Sequence, residues 1–229
     1  MPTIQDDEFG TITVRRSARS RQVRLRVAPD GTLRASMPLY APLFLLKRLV
    51  KSSRPQLRKM LTQAQPDTTY YDGQQIGKSH TILVKKGDRV GTAIEGQRIV
   101  LTLPEAKQLA DADVVRLLRD ASIKALRKEA KSYLPRRLGY LAQTLGFTYA
   151  KVRFSHASSR WGSCSSEGTI SLNIALMKLP FELIDYVLIH ELAHTVEMNH
   201  STHFWELVEQ GDAQYKVHRK RLKTETPSI

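Results

Sequence analysis

His190-Glu191-Leu192-Ala193-His194 is the stretch of the chain whose residue types and spacing can do chemistry. On a helix, two His four apart project from one face, close enough to share a tetrahedral metal ion. Glu191 points about one residue's rotation away, where its carboxylate can take a proton from a water activated by the ion. The alternative is a buried helix that carries two His and a Glu by coincidence, and the surroundings weigh against it. Leu183, Ile184, Val187, Leu188, Leu192 and Val196 recur at helical spacing, and Pro180 suits a first helical position. One helix with a large apolar face is therefore predicted from Phe181 to Met198. At the rim of a core, two imidazoles and a carboxylate without a ligand are costly.

A catalytic zinc takes three protein ligands and leaves the fourth place for water. His200 and His203 stand downstream of His194. A helix that ends near Glu197 or Met198 can turn back at Asn199, a residue tolerant of left-handed backbone, and swing His200 towards the ion. Ser201 is placed to N-cap the next helix, which puts His203 in its first turn as a solvated residue. The spacing favours His200, with His203 or a Glu or Asp ligand as the alternatives.

The elements that must position these groups read as two unequal parts, a basic β-rich amino-terminal region over 1–104 and a catalytic domain over 105–229. Val23, Leu25 and Val27 alternate with Arg24 and Arg26, and Pro29-Asp30-Gly31 supplies a turn before a strand over Leu33 to Met37. Pro42 to about Ala64 is helical in pattern, with a break expected before Pro55. Strands fit Thr81 to Lys85, Val90 to Ile94 and Arg98 to Leu103. A long helix is predicted from Asp113 to Leu145, stopped at Gly146 and kinked or split at Pro135. Strands resume at Lys151 to Phe154, Ser159 to Ser163 and Thr169 to Asn173. The Ser159 to Asn173 hairpin has a functional reading, since an edge strand beside a metal can pair with an extended peptide through its backbone. Arg160 is a candidate clamp for a carboxylate, phosphate or oxyanion, with a structural ion pair as the equal alternative. Trp161 is a candidate substrate contact, or a core residue. The one cysteine, Cys164, excludes an internal disulfide and fits a reducing, cytoplasmic compartment; as a residue it reads as a small hydrophobe rather than a nucleophile or ligand.

Arg160-Trp161-Gly162-Ser163-Cys164, Leu172-Asn173, Leu179-Pro180, the His190 to His194 motif, Asn199-His200-Ser201 and Phe204-Trp205 occur in that order. This pattern resembles the YgjP-like metallopeptidase family, related to the WLM and SprT-like zincins. Ser17-Ala18-Arg19-Ser20-Arg21 followed by Pro29-Asp30-Gly31 is similar to that family's start. The resemblance is strong over 150–210 and looser before it. It implies an α+β, zincin-like core, of helices with a small antiparallel or mixed sheet, with His190, His194 and His200 as ligands and Glu191 as the catalytic residue.

Charge is the other signal. The net charge is +14, and residues 1–104 hold 18 Lys and Arg against 8 Asp and Glu, whereas 105–229 hold 18 against 14. Arg19, Arg21, Arg24 and Arg26 are candidate contacts for a phosphate backbone, against the alternative of a solvated cationic face. Lys216 to Lys223 adds a second basic tract. No motif that reads bases is visible, no apolar run reaches membrane-spanning length, and the polar, acidic start is unlike a signal peptide. The expectation is a cytoplasmic hydrolase with one Zn2+ per chain, for which Ni, Co or Mn can substitute. It acts on peptides or unfolded proteins, with non-specific nucleic acid as a further partner and no membrane. Metal-dependent hydrolysis of nucleotide phosphates is the runner-up, though no Gly-rich phosphate loop is present. A nucleic-acid-binding module with a structural metal is the third reading, and Glu191 argues against it, since a structural site has no use for a base.

Overall fold

The computed structural model describes residues 2–18, 20–27, 32–64 and 70–229. The chain divides into two compact units, Met1–Thr68 and Thr69–Ile229. Both mix small sheets with helices, so the class is α+β.

In the first unit the alternation in the sequence becomes strand pairing. Strands β1 (Thr3–Asp6), β2 (Gly10–Arg16), β3 (Arg24–Val27) and β4 (Leu33–Met37) form one sheet in the order β1-β2-β4-β3. β3 runs antiparallel to β4 and β2 parallel to it. The turn expected at Pro29-Asp30-Gly31 lies outside the described residues, as does Arg19. Helices α1 (Leu43–Ser52) and α2 (Arg54–Ala64) are separated at Ser53, and Pro55 falls in the first turn of α2, where its missing N–H breaks no helical hydrogen bond. Leu46, Val50 and Leu57 bury against Ile12, Val14, Leu33, Ala35 and Met37. Two acidic groups of the first turn are paired locally, Glu8 with Arg54 and Arg58, and Asp6 with Arg54.

The second unit is built on α3 (Ala112–Leu145), which covers a sheet of β5 (Gln75–Ile76), β6 (His80–Lys86), β7 (Gly91–Glu95) and β8 (Arg98–Leu103) in the order β5-β6-β8-β7. The strands predicted before residue 104 are present, but they belong to this unit. Ile76, Ile82, Ile99 and Leu101 lie in one core with Leu118, Leu126 and Leu134 of α3. The break between compact units therefore falls at 68, because burial of β6 and β8 under α3 joins those strands to the helix. Pro135 neither splits nor ends α3. It costs one backbone hydrogen bond, while the fully buried Leu134 and Leu138 beside it hold the turn in place. Gly146 stops the helix in left-handed backbone, φ 74°, with its N–H on the Ala142 carbonyl.

A buried ionisable pair pins β6 to α3. Glu129 and His80 are 7% and 2% exposed. The Glu129 carboxylate accepts from the amides of Lys78 (2.7 Å), Ser79 (2.9 Å) and His80 (3.1 Å), from Ser79 Oγ (2.8 Å), and from His80 Nδ1 at 2.6 Å. Burial alone would raise its pKa, but these donors, His80 first among them, hold it below the ordinary value. Glu129→Ala leaves all of them unpaired in the core, so we expect a loss of about 3–5 kcal/mol of stability. Denaturant unfolding is the check, and a loss below about 1 kcal/mol would contradict this role.

The remaining elements frame the site. Strands β9 (Lys151–Ser155), β10 (Gly162–Cys164) and β11 (Thr169–Asn173) form a sheet ordered β10-β11-β9, with β10 at its edge. β10 begins at Gly162, later than the sequence predicts, because Asn173 gathers the preceding segment into a loop. Its buried amide donates to the carbonyls of Ala157 (2.6 Å) and Arg160 (2.9 Å). Asn173 Oδ1 also accepts from the Ala175 amide at 3.0 Å, capping a 3-10 helix, Ile174–Lys178. Helices α4 (Phe181–Ala193), α5 (Thr202–Gly211) and α6 (Tyr215–Leu222) follow. Among the described residues no helix is long and apolar enough to cross a membrane.

Candidate metal centre

α4 is buried almost all round, with Leu183, Ile184, Val187, Leu188 and Leu192 in the core, so its last turn brings polar groups into an apolar setting. The helix ends earlier than predicted. His194 is its C-cap, and the Thr195, Val196 and Glu197 amides fold back onto the carbonyls of Leu192 and Ala193. The reversal therefore starts at His194 rather than Asn199, and no described non-glycine residue has positive φ, so Asn199 is not left-handed. His200 nevertheless comes beside the other two: one nitrogen each of His190, His194 and His200 lie within 4.8 Å of one another.

The donor set fits a divalent ion. Nε2 of His190 and Nε2 of His200 are 3.2 Å apart, close to the separation of about 3.4 Å between two nitrogens on a tetrahedral zinc. His194 Nδ1 lies 3.1 Å from the Glu197 carbonyl oxygen, which can only accept. Nδ1 therefore carries the proton and Nε2 presents its lone pair. His190 is pushed down to about 3, by burial first and then by His194, His200 and Arg219, and His200 is lowered for the same kinds of reason. Imidazoles that resist protonation keep their lone pairs for a metal. Phe204, fully buried at the start of α5, packs its ring 4.9, 4.5 and 4.7 Å from those of His190, His194 and His200. Ser201 starts that helix by accepting from the Phe204 amide. His203 stays outside the cluster, exposed beside Glu206.

Among the described residues, Glu191 and His190 both carry a buried polar atom without a partner, Glu191 Oε2 and His190 Nδ1. Glu191 is 5% exposed. Burial pushes its carboxyl up to about 8, against the downward pull of the Arg160 guanidinium. A cation beside it would add to that pull. Space for the carboxylate comes from Gly162: a Cβ there would stand 2.4 Å from Glu191 Oε1. Gly162→Ala must therefore displace Glu191. We expect any metal-dependent hydrolysis to fall at least about tenfold with the three-His metal affinity kept. Parallel turnover and metal titrations test this, and unchanged turnover would show that the carboxylate has room to spare.

Opposite shifts give a pH signature to protein stripped of metal by a chelator. His190 drops from 6.5 to about 3, so the unfolded chain binds more protons between those values and stability falls as pH falls through that window. Glu191 rises from 4.5 to about 8, so the folded chain binds the extra proton and stability falls as pH rises through that window. Stripped protein is therefore expected to be most stable where the windows overlap, between pH 4.5 and 6.5. Thermal melts across pH 4 to 9 check it, and a stability that climbs steadily to pH 8 would contradict it.

The other candidate residues are placed as follows. Arg160 is exposed and reaches Glu191 through its charge. Trp161 is half-buried against the core, and its carbonyl accepts from the Asn173 amide at 2.8 Å. Cys164 is a free thiol outside the His cluster, raised by burial and then by Glu191, which makes it a poor nucleophile. Arg21, Arg24 and Arg26 lie in the first compact unit. Four contributors escaped sequence reasoning as site residues: Gly162, Asn173, Phe204 and Arg219, whose guanidinium stacks 4.4 Å from the Trp205 ring. Only Gly162 carries a readable signal, a glycine inside a strand pattern.

No curated protein matches the chain. A solved structure described as the crystal structure of the metallopeptidase zymogen of Pyrococcus abyssi abylysin is similar at 31% sequence identity, over 39% of this chain and 91% of that one, with a TM-score of 0.36. The family described as YgjP-like, metallopeptidase domain, matches residues 21–225. With so much of the length matched, the chain belongs to the YgjP-like metallopeptidase domain family.

Proposed function

We propose that the chain is a zinc-dependent peptidase with a zincin-like core, acting on peptide bonds of extended or unfolded polypeptides. The observation that supports this most is the pairing of three convergent imidazoles with a buried carboxylate whose Oε2 is unpartnered. His190, His194 and His200 would hold one ion, with zinc preferred and Ni, Co or Mn able to replace it. When bound, the ion supplies Lewis acidity, bringing the pKa of a water near 7 and polarising the scissile carbonyl.

The chain's own residues supply the rest. Glu191 takes the proton from the attacking water and passes it to the leaving amine, as a base needs a lone pair that no other hydrogen bond engages. Gly162 gives that carboxylate room, and the Arg160 charge pulls against the burial that favours its protonated form. β10 is an edge strand, so an extended substrate can add to it by backbone hydrogen bonds with no sequence requirement. The Asn173 side chain, by fastening the 157–160 loop, orients Arg160 and Trp161 for contact with that substrate. Phe204 closes one side of the imidazole cluster with an apolar ring, which limits water there. A reducing, cytoplasmic compartment suits the one free thiol.

The test uses a quenched fluorescent peptide and unfolded casein as substrates. Chelation is expected to abolish cleavage and one equivalent of zinc per chain to restore it. Cleavage that survives chelation, or no metal in protein purified without chelators even after zinc is added, would refute the reading.

A further inference from the structure

The register of the amino-terminal sheet concentrates arginines on one face. Arg24 stands opposite Ser36, and Arg26 opposite Arg34. On the other side of β4, Arg15 stands opposite the same Ser36 and Thr13 opposite Arg34. Because side chains alternate along a strand, these groups share a face, while Val14, Leu33, Ala35 and Met37 go into the core on the other. With Arg21 they line a concavity of about 840 Å³.

Three features of this concavity point to its ligand. No Asp or Glu is among the described residues that line it, although the unit as a whole has 13 Lys and Arg against 5 Asp and Glu. The carboxylates of Asp6 and Glu8 are engaged elsewhere, with Arg54 and Arg58. Where Arg24 has a partner in reach, it is an amide: the Gln22 oxygen, in the orientation that satisfies both groups, accepts from Arg24 Nη2 at 2.9 Å. Among the described residues, no carboxylate pairs with Arg15, Arg21, Arg24 or Arg26. Second, hydroxyls of Thr13, Ser20 and Ser36 stand among the arginines, the donor mixture that phosphate oxygens take. Third, among the described residues the lining holds no aromatic or large apolar side chain. The described lining thus favours phosphate contact over the stacking of bases or insertion into a membrane surface. Successive rows on the face are two residues apart, about 7 Å, and neighbouring strands about 4.8 Å, a lattice on which phosphates of one strand can be met in succession.

We propose that this face binds the phosphodiester backbone of nucleic acid, without reading bases, through Arg15, Arg21, Arg24 and Arg26. The contact is electrostatic and independent of the imidazole cluster, so it stands whether or not the peptidase reading holds.

The test is fluorescence anisotropy with the full chain, metal-stripped so that no turnover intervenes, on a labelled 20-base-pair mixed-sequence DNA duplex and an RNA duplex of the same sequence. Binding is expected to weaken with salt, with a log–log slope whose size reflects about one released counterion per arginine–phosphate contact. Replacing Arg15, Arg21, Arg24 and Arg26 with Gln is expected to reduce that slope by about 3–4 and to weaken binding at 0.1 M salt at least about tenfold. The matched variant with Lys at all four positions keeps most of the binding, which separates charge from misfolding. A control that removes charge from α1 of the same unit, Lys47, Arg48 and Lys51→Gln, leaves the slope near wild type. Equal weakening by that control would show a diffuse net-charge effect and overturn the proposal. So would a wild-type slope in the fourfold Gln variant, more than tenfold preference among sequences, or tighter binding to phosphatidylserine vesicles than to either duplex.

Discussion

Glu191→Gln is expected to cut peptide turnover by about 10²-fold or more while metal content stays at one ion per chain. The amide has nearly the volume of the carboxylate, so the space against Gly162 is kept; what is lost is a group that can hold a proton in transit. The carboxylate sits 5% exposed with one oxygen unpartnered, a costly arrangement for a residue that only fills space. This variant separates two explanations that share a geometry. If Glu191 is the base, turnover collapses, and thermal stability at neutral pH is maintained or rises, because the wild-type group is destabilised by burial as it ionises. If Glu191 is a structural residue, turnover survives and stability changes instead. Near-wild-type turnover on the fluorescent peptide would end the proposed mechanism.

The second large effect is at the third ligand. His200→Ala is expected to weaken zinc binding by more than about 10²-fold, since two imidazoles remain where three converged. His203→Ala is expected to leave it nearly unchanged. His200 Nε2 is 3.2 Å from His190 Nε2, whereas His203 faces solvent beside Glu206. Competition with a chromophoric chelator measures both affinities directly. Because His200 is exposed, its loss does not open the core, and unfolding melts of the stripped variant should overlay those of stripped wild type. The reverse ranking of the two histidines would show that the loop after α4 closes differently on a metal.

The sequence by itself determined the features that depend on local periodicity and residue chemistry. The spacing of His190 and His194 with Glu191 between them needs only a helix. The alternation of Val23, Leu25 and Val27 with arginines needs only a strand, and Ser201, Gly146 and Pro55 mark ends because their preferences act within a few residues. Tertiary structure decided what depends on distant packing. The strands over 75–103 joined the second unit because α3 covers their apolar face, which no composition shift announces. α3 ran through Pro135 because buried leucines on both sides outweigh one missing hydrogen bond. The end of α4 moved back to His194 although apolar spacing continued to Val196, since Val196 found no core to enter and lies exposed. Gly162 against Glu191, and the arginines of β2 and β3 set on one face through β4, arise from pairing between segments far apart in the chain. Local preferences can be read one residue at a time; register, burial and close approach are set only when the partners meet.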